Sequence, residues 1–232
     1  MQTDERAGGR SYRSQLRDER ARRTRQRLLA AARDAFVARG YAGTTMRLIA
    51  AGAGVSVPTA ELLFRTKAGL LKAAIDVAIA GDDEQVPVLD REWTTPARRA
   101  STVDVLLSTV VGVLGPAQER SAGLVLAALE ASATDADLAV LGEQLVRQRE
   151  TTVGWLVDRI TDLAALRPEL TRQDAVDTVW LLMDPAVFVR LTERRGWSVP
   201  RYQDWVARSV RFLLLPDPPT PSRDDPITED TT

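Results

Sequence analysis

The sequence predicts an all-α protein, a three-helix helix-turn-helix head followed by a larger C-terminal helical bundle, about nine helices together. Three observations predict it. Apolar residues recur at intervals of three and four along the chain, and no stretch alternates with the period of two that marks a half-buried strand. The apolar runs are punctuated by Ser, Thr and Asp where helices start and by Gly and Pro where they stop. Two of the runs are short and are joined by Gly52, Ala53, Gly54 and Val55, where small residues let two helices approach and glycine takes a left-handed angle without steric cost.

Residues 1–22 carry Arg6, Arg10, Arg13, Arg17, Arg20 and Arg22 with Gly8, Gly9 and few apolar side chains, and read as a disordered basic arm. From Thr24, the spacing of Leu28, Leu29, Ala32 and Phe36 predicts a helix that ends before Gly40. Thr44 and Thr45 cap a second helix through Ala51, with Leu48 and Ile49 inward. Ser56 caps a third, with Pro58 in its first turn, ending near Phe64. Thr66 caps a fourth that continues to about Ala80, before the connection at Gly81 to Pro87.

Five further helices are placed at 95–114, 117–132, 135–166, 171–195 and 200–215. Their boundaries are marked by Pro96, by Gly115 and Pro116 read as a break, by Thr134, by Pro168, by Thr171, and by Gly196 with Pro200. Asp184 and Pro185 predict a kink. From Pro216 the proline-rich, acidic tail reads as disordered.

The net charge of −1 conceals a split: residues 1–80 hold 15 Lys+Arg against 7 Asp+Glu, whereas residues 81–232 hold the remaining 16 against 25. A basic segment joined to an acidic one is the footprint of a chain whose first part meets a polyanion. No His or Cys occurs, which removes the commonest general base, thiol chemistry, disulfides and the usual zinc ligands. With no paired-carboxylate motif either, an enzyme is disfavoured and neither cofactor nor metal is expected. No run approaches the ~20 apolar residues that cross a bilayer, and no signal peptide is seen, so a cytoplasmic protein without membrane contact is expected.

The stretch Arg27 to Phe36, then Arg39, Gly40 and Tyr41, Thr44 to Ala50, Ala53 to Ser56 and Phe64 to Leu71 resembles the signature of the TetR family of transcriptional regulators. The resemblance implies a DNA-binding domain over 23–72 and a ligand-binding and dimerisation domain over 88–215. It also implies a homodimer on a double-stranded DNA operator, most simply a repressor released by a small-molecule effector. By position, Thr45 and Lys67 match phosphate contacts, Arg47 reaches phosphate or base, and Ser56, Val57, Pro58, Thr59, Glu61 and Leu62 lie on the reading helix.

That helix departs from the family pattern. Where relatives carry Lys, Gly, Tyr and His, this chain has Val57, Pro58, Glu61 and Leu63, so the operator sequence is not legible. A TetR-like ligand-sensing or protein-interaction module with weak or lost specific DNA binding stays open as the alternative. For the bundle, the candidate effector-lining residues are Leu106, Val110, Leu126, Glu130, Trp155 and Met183, each of which reads more readily as plain core. The expected dimer contacts are Trp180, Val187, Phe188, Leu191, Trp205, Val206 and Phe212, each of which reads equally as intrachain core.

Overall fold

A computed structural model describes residues 5–82, 84 and 86–216, with side chains from Asp18 onward. Helix α1 runs unbroken over Glu5–Arg39. This corrects the disordered arm: apart from residues 1–4, which lie outside the described part, the segment is helical. It contains no proline and is dominated by Arg, a good helix former. A helix already nucleated at 24–39 extends backwards by one hydrogen bond per residue without a new nucleus. Asp18 with Arg22 and Glu19 with Arg23 stand at the supportive i,i+4 spacing.

The head is completed by α2 (Met46–Gly52), α3 (Val57–Phe64) and α4 (Lys67–Ala80), each started by a hydroxyl that accepts from a backbone N–H: Thr45 from Leu48, Ser56 from Thr59, Thr66 from Gly69. Between α2 and α3 the chain bends by 107°. Gly54 makes that bend, at φ +64°, where a side chain would be strained. Between α3 and α4, Arg65 adopts φ 61°, ψ −60° while the Thr66 N–H donates to the Phe64 carbonyl at 2.7 Å. That is a γ-turn, a rare and strained reversal that sets the angle at which α3 leaves α4.

The bundle comprises a 3-10 turn at Val88–Asp90, α5 (Thr94–Arg99), α6 (Val103–Ala131), α7 (Ala136–Leu163), α8 (Arg172–Leu182), α9 (Pro185–Val189) continuing into a π turn at Arg190–Arg194, and α10 (Val199–Leu214). The described residues contain no strand. The helix expected at 95–114 is interrupted after Arg99, and α6 begins at a new cap, Thr102. Conversely, α6 passes through Gly115 and Pro116, where a break was expected. The reason is tertiary. A Cβ on Gly115 would lie 2.5 Å from Nε2 of Gln203, so the glycine admits α10, and that Nε2 donates to the Val111 carbonyl at 2.8 Å in the turn that Pro116 disturbs. The expected kink in 171–195 is a full interruption at Met183 and Asp184. The tail 217–232, expected to be disordered, lies outside the described residues.

Two apolar clusters hold the molecule together. One gathers Leu28, Phe36, Ile49, Phe64, Leu70, Leu71 and Ile75 of the head and continues into Leu124, Val125 and Ala128 of α6 and Leu138 and Leu141 of α7. The other joins Leu106 and Val110 of α6, Leu156 and Ile160 of α7, Val179 of α8 and the inward stripe Tyr202, Val206, Val210 and Leu214 of α10. At the seam, Arg120 on α6 closes the C-terminus of α4, its Nε donating to the Ala78 carbonyl at 2.9 Å and its Nη2 to that of Ile79 at 3.4 Å. A cation at those carbonyls also meets the negative end of the α4 dipole.

Candidate functional site

Helix α3 closes one face and opens the other. Ala60 and Phe64 are buried, Val57 and Leu63 pack partly against them, and Arg25 of α1 covers the Phe64 ring at 4.8 Å. Pro58, Glu61 and Leu62 point outward at i, i+3 and i+4, with Leu62 83% exposed. This is the surface a reading helix presents to a groove. Thr59 is half-buried, its hydroxyl 2.8 Å from that of its cap Ser56. Arg47 on α2 and Arg65 after α3 are exposed beside this face. Arg65 escaped the sequence reading; its signal was its place directly after the motif's Phe64.

The two residues expected at phosphate differ in what they already do. Thr45 is exposed at the α2 N-terminus, its Oγ1 accepting from Leu48 N at 3.1 Å, so its hydroxyl hydrogen is left to donate. Lys67 is turned inward: its ammonium donates to the carbonyls of Tyr41 at 2.9 Å and Thr44 at 3.0 Å and stands 3.8 Å from the centre of the Tyr41 ring. An ammonium has three donors, and two serve the loop between α1 and α2. Burial holds the Lys67 pKa below its ordinary value.

Tyr41 ties this loop to the bundle. Its pKa is pushed up to about 12 by burial and then by the nearby carboxylate of Asp135, the cap of α7. A folded-state value above the ordinary 10 means that the stability it contributes is complete below pH 10 and is lost as pH rises towards 12. The stability difference between the native chain and Tyr41→Phe should therefore shrink between pH 10 and 12 in urea titrations. A difference constant over that interval would show that the phenol is not held in its neutral form.

In the bundle, Leu106, Val110 and Met183 are buried core, Trp155 packs against that core edge-on to Trp93 at 5.8 Å, and Leu126 is half-buried. Glu130 is exposed near the end of α6, apart from the buried core that Leu106, Val110 and Met183 share. It follows Leu129 on the turn that leads to the surface, where a carboxylate keeps its water. Of the expected dimer contacts, Phe188 and Val206 are corrected to intrachain core, Val206 being 1% exposed on the inward stripe of α10. Trp180, Val187, Leu191 and Trp205 are half-buried. Phe212 is 67% exposed, and Leu213 and, on α8, Leu181 are exposed as well, neither anticipated.

A buried polar cluster surrounds the interruption between α8 and α9. The Met183 carbonyl accepts from Gln118 Nε2 at 2.8 Å and the Leu182 carbonyl from the Tyr202 hydroxyl at 3.1 Å. Asp184 caps α9 through Ala186 N at 2.7 Å and pairs with Arg149 Nη1 at 2.7 Å, while the guanidinium lies 3.6 Å from the centre of the Trp180 ring. Burial lowers the Arg149 pKa against the opposing pull of Asp184, and raises that of Tyr202. In sequence, Asp184 was legible only as part of a kink and Arg149 not at all.

The geometry defines a class first: a helix-turn-helix head with an open reading face, fused through a capped connecting helix to an all-helical bundle. Residues 28–74 match the family model described as bacterial regulatory proteins, tetR family. Several solved structures share the fold. A TetR-family regulator from Mesorhizobium loti is 18% identical with TM-score 0.59, over 84% of this chain and 96% of that one. A regulator from Saccharomonospora viridis solved with choline is 16% identical with TM-score 0.61, over 83% and 98%. The regulator FadR from Bacillus subtilis in complex with stearoyl-CoA is 13% identical with TM-score 0.61, over 80% and 96%. No curated protein sequence matches. Residues 28–74 thus form a tetR-family helix-turn-helix domain, and the chain as a whole has the fold of the regulators it is similar to.

Proposed function

We propose that the protein is a cytoplasmic, homodimeric repressor whose paired heads grip two half-sites of a DNA operator and let go when a small molecule enters the bundle. The observation that carries the DNA half is the open face of α3, flanked by Arg47 and Arg65 and backed by a closed core. The dimer is supported by large apolar side chains left exposed on two helices that pack against each other, Leu181 at one end of α8 and Phe212 with Leu213 at the far end of α10. Ligand response is supported by the regulators of this fold solved with choline and with stearoyl-CoA. No helix among the described residues is long and apolar enough to cross a membrane.

Selection of bound fragments from genomic DNA tests the reading. The expected result is paired half-sites separated by whole helical turns, bound by the dimer with a steep dependence on salt. Arg47→Ala and Arg65→Ala should each weaken binding across sequences and lower the slope of log affinity against log salt by about one. A second reading rests on one observation: Glu61 repels phosphate and the exposed Leu62 offers it nothing, which suits a sensing or protein-interaction module. An intact dimer that selects no sequence would establish that alternative instead.

A further inference from the structure

The half-buried guanidinium of Arg149 is paired on one side only. Its Nη1 meets Asp184, whereas Nε and Nη2 are buried without a hydrogen-bond partner, as is Nε1 of Trp180, the ring on which the guanidinium lies. Buried donors left unmet are uncommon and costly. The geometry of what is missing is specific. Nε and Nη2 form the side edge of the guanidinium, two parallel N–H bonds that fit the two oxygens of a carboxylate. The same edge is filled elsewhere in this protein, where Arg172 donates from Nε to Asp158 Oδ1 at 2.6 Å and from Nη2 to Oδ2 at 2.9 Å. At Arg149 the fork is formed, cationic and without an acceptor.

We propose, resting on the effector-responsive reading above, that Arg149 and Trp180 form the recognition end of the effector site and that the effector is a carboxylate-bearing molecule with an apolar or aromatic body. The surroundings suit such a body: Trp180, Met183 and Tyr202 are apolar or aromatic, and Phe188 packs on Tyr202 at 5.0 Å. The unpartnered atoms are closed off within the single chain, which favours a small molecule over a second copy's side chain as their acceptor. Entry is by movement at Met183 and Asp184, where the backbone leaves the helix.

The position also supplies a response. A second carboxylate on the free Nε and Nη2 edge shares the charge of the guanidinium with Asp184, whose other oxygen caps α9. The adjoining Met183 carbonyl is held by Gln118, which stands two residues after Pro116 and two before Arg120, the cap of α4. One turn of α6 therefore touches both the interruption and the helix that carries the head. Occupation of Arg149 biases that turn, provided the ligand prefers one of its arrangements.

The full-length protein is titrated with benzoate, 2-naphthoate and decanoate, and with the corresponding primary amides, followed by melting temperature and tryptophan emission. At least one carboxylate should raise the melting temperature and quench emission, and its amide should bind at least about tenfold more weakly, as expected for loss of a charged, two-bond contact. Arg149→Lys keeps the charge and loses the fork, and should weaken the carboxylate about tenfold or more. Arg172→Lys, at the fork already filled, should leave it unchanged. Equal binding of acid and amide, an unaffected Arg149→Lys, or no response to any of the three acids overturns the proposal. DNA selection by the ligand-free protein is read separately: if it succeeds while the carboxylates fail, only the effector class falls, and if it fails the repressor reading falls.

Discussion

Replacing Phe36 with alanine should lower the unfolding free energy by about 3–5 kcal/mol, the range for emptying a buried aromatic site, and should take DNA binding with it. Phe36 is fully buried where α1 meets α2, and its ring stacks on Tyr41 at 6.0 Å and 13°. Tyr41 carries the Lys67 ammonium on its face, and Lys67 in turn holds the carbonyls of Tyr41 and Thr44. Thr44, also fully buried, shares its one hydroxyl hydrogen between the carbonyls of Gly40 at 2.8 Å and Ala35 at 3.1 Å. The cavity therefore opens beneath the loop that positions Thr45 and the start of α2. Because the cluster continues into α6 and α7, denaturant should still give one transition, shifted to lower midpoint with little change in slope. Phe36→Leu, which fills most of the space, should lose less than half as much. A loss below about 1 kcal/mol for the alanine variant would mean that the site collapses around the gap.

Removing the carboxylate of Asp184 should cost about 3 kcal/mol, the low end for breaking a buried ion pair because both side chains keep about a fifth of their exposure. The alanine variant loses two things at once, the counter-ion of Arg149 and the cap of α9, the latter worth about 1 kcal/mol. Asp184→Asn separates them, since asparagine still caps while the guanidinium is left without its charge partner. Most of the loss should therefore remain in Asp184→Asn. Combining it with Arg149→Met should restore stability to within about 1 kcal/mol of the native protein, because an apolar side chain against Trp180 needs no counter-ion. Melting curves of the three variants check this. A double variant no more stable than Asp184→Asn would show that Arg149 itself, through its contact with Trp180, stabilises the fold.

Much of the head could be read from single residues because its signals are local. Thr45, Ser56 and Thr66 cap the helices they were expected to cap, and Gly54 takes the left-handed angle the turn demands. A hydroxyl and an N–H three residues apart meet whatever the rest of the chain does. Resemblance added the order and register of the elements. The bundle was legible as helices and less so as boundaries. Pro116 is a local signal for a stop, but Gly115 beside it admits α10 and Gln203 serves a carbonyl in the disturbed turn, so the stop is overridden from 92 residues away. Val206 was assigned to a dimer face because helical periodicity says which residues share a face but not which neighbour that face meets.

The sequence by itself determined the helical class, the helix-turn-helix with its caps and turn, and the exclusion of imidazole and thiol chemistry, since each follows from residue type or from spacing within a few turns. Only the tertiary structure decided that the basic arm continues α1, that Lys67 faces a carbonyl pair and a ring, that α6 stays whole, and that Nε and Nη2 of Arg149 are buried and unmet. Those outcomes depend on groups brought together from distant parts of the chain, where burial alters what a charge or a donor costs, and that cost is set by packing that no local pattern encodes.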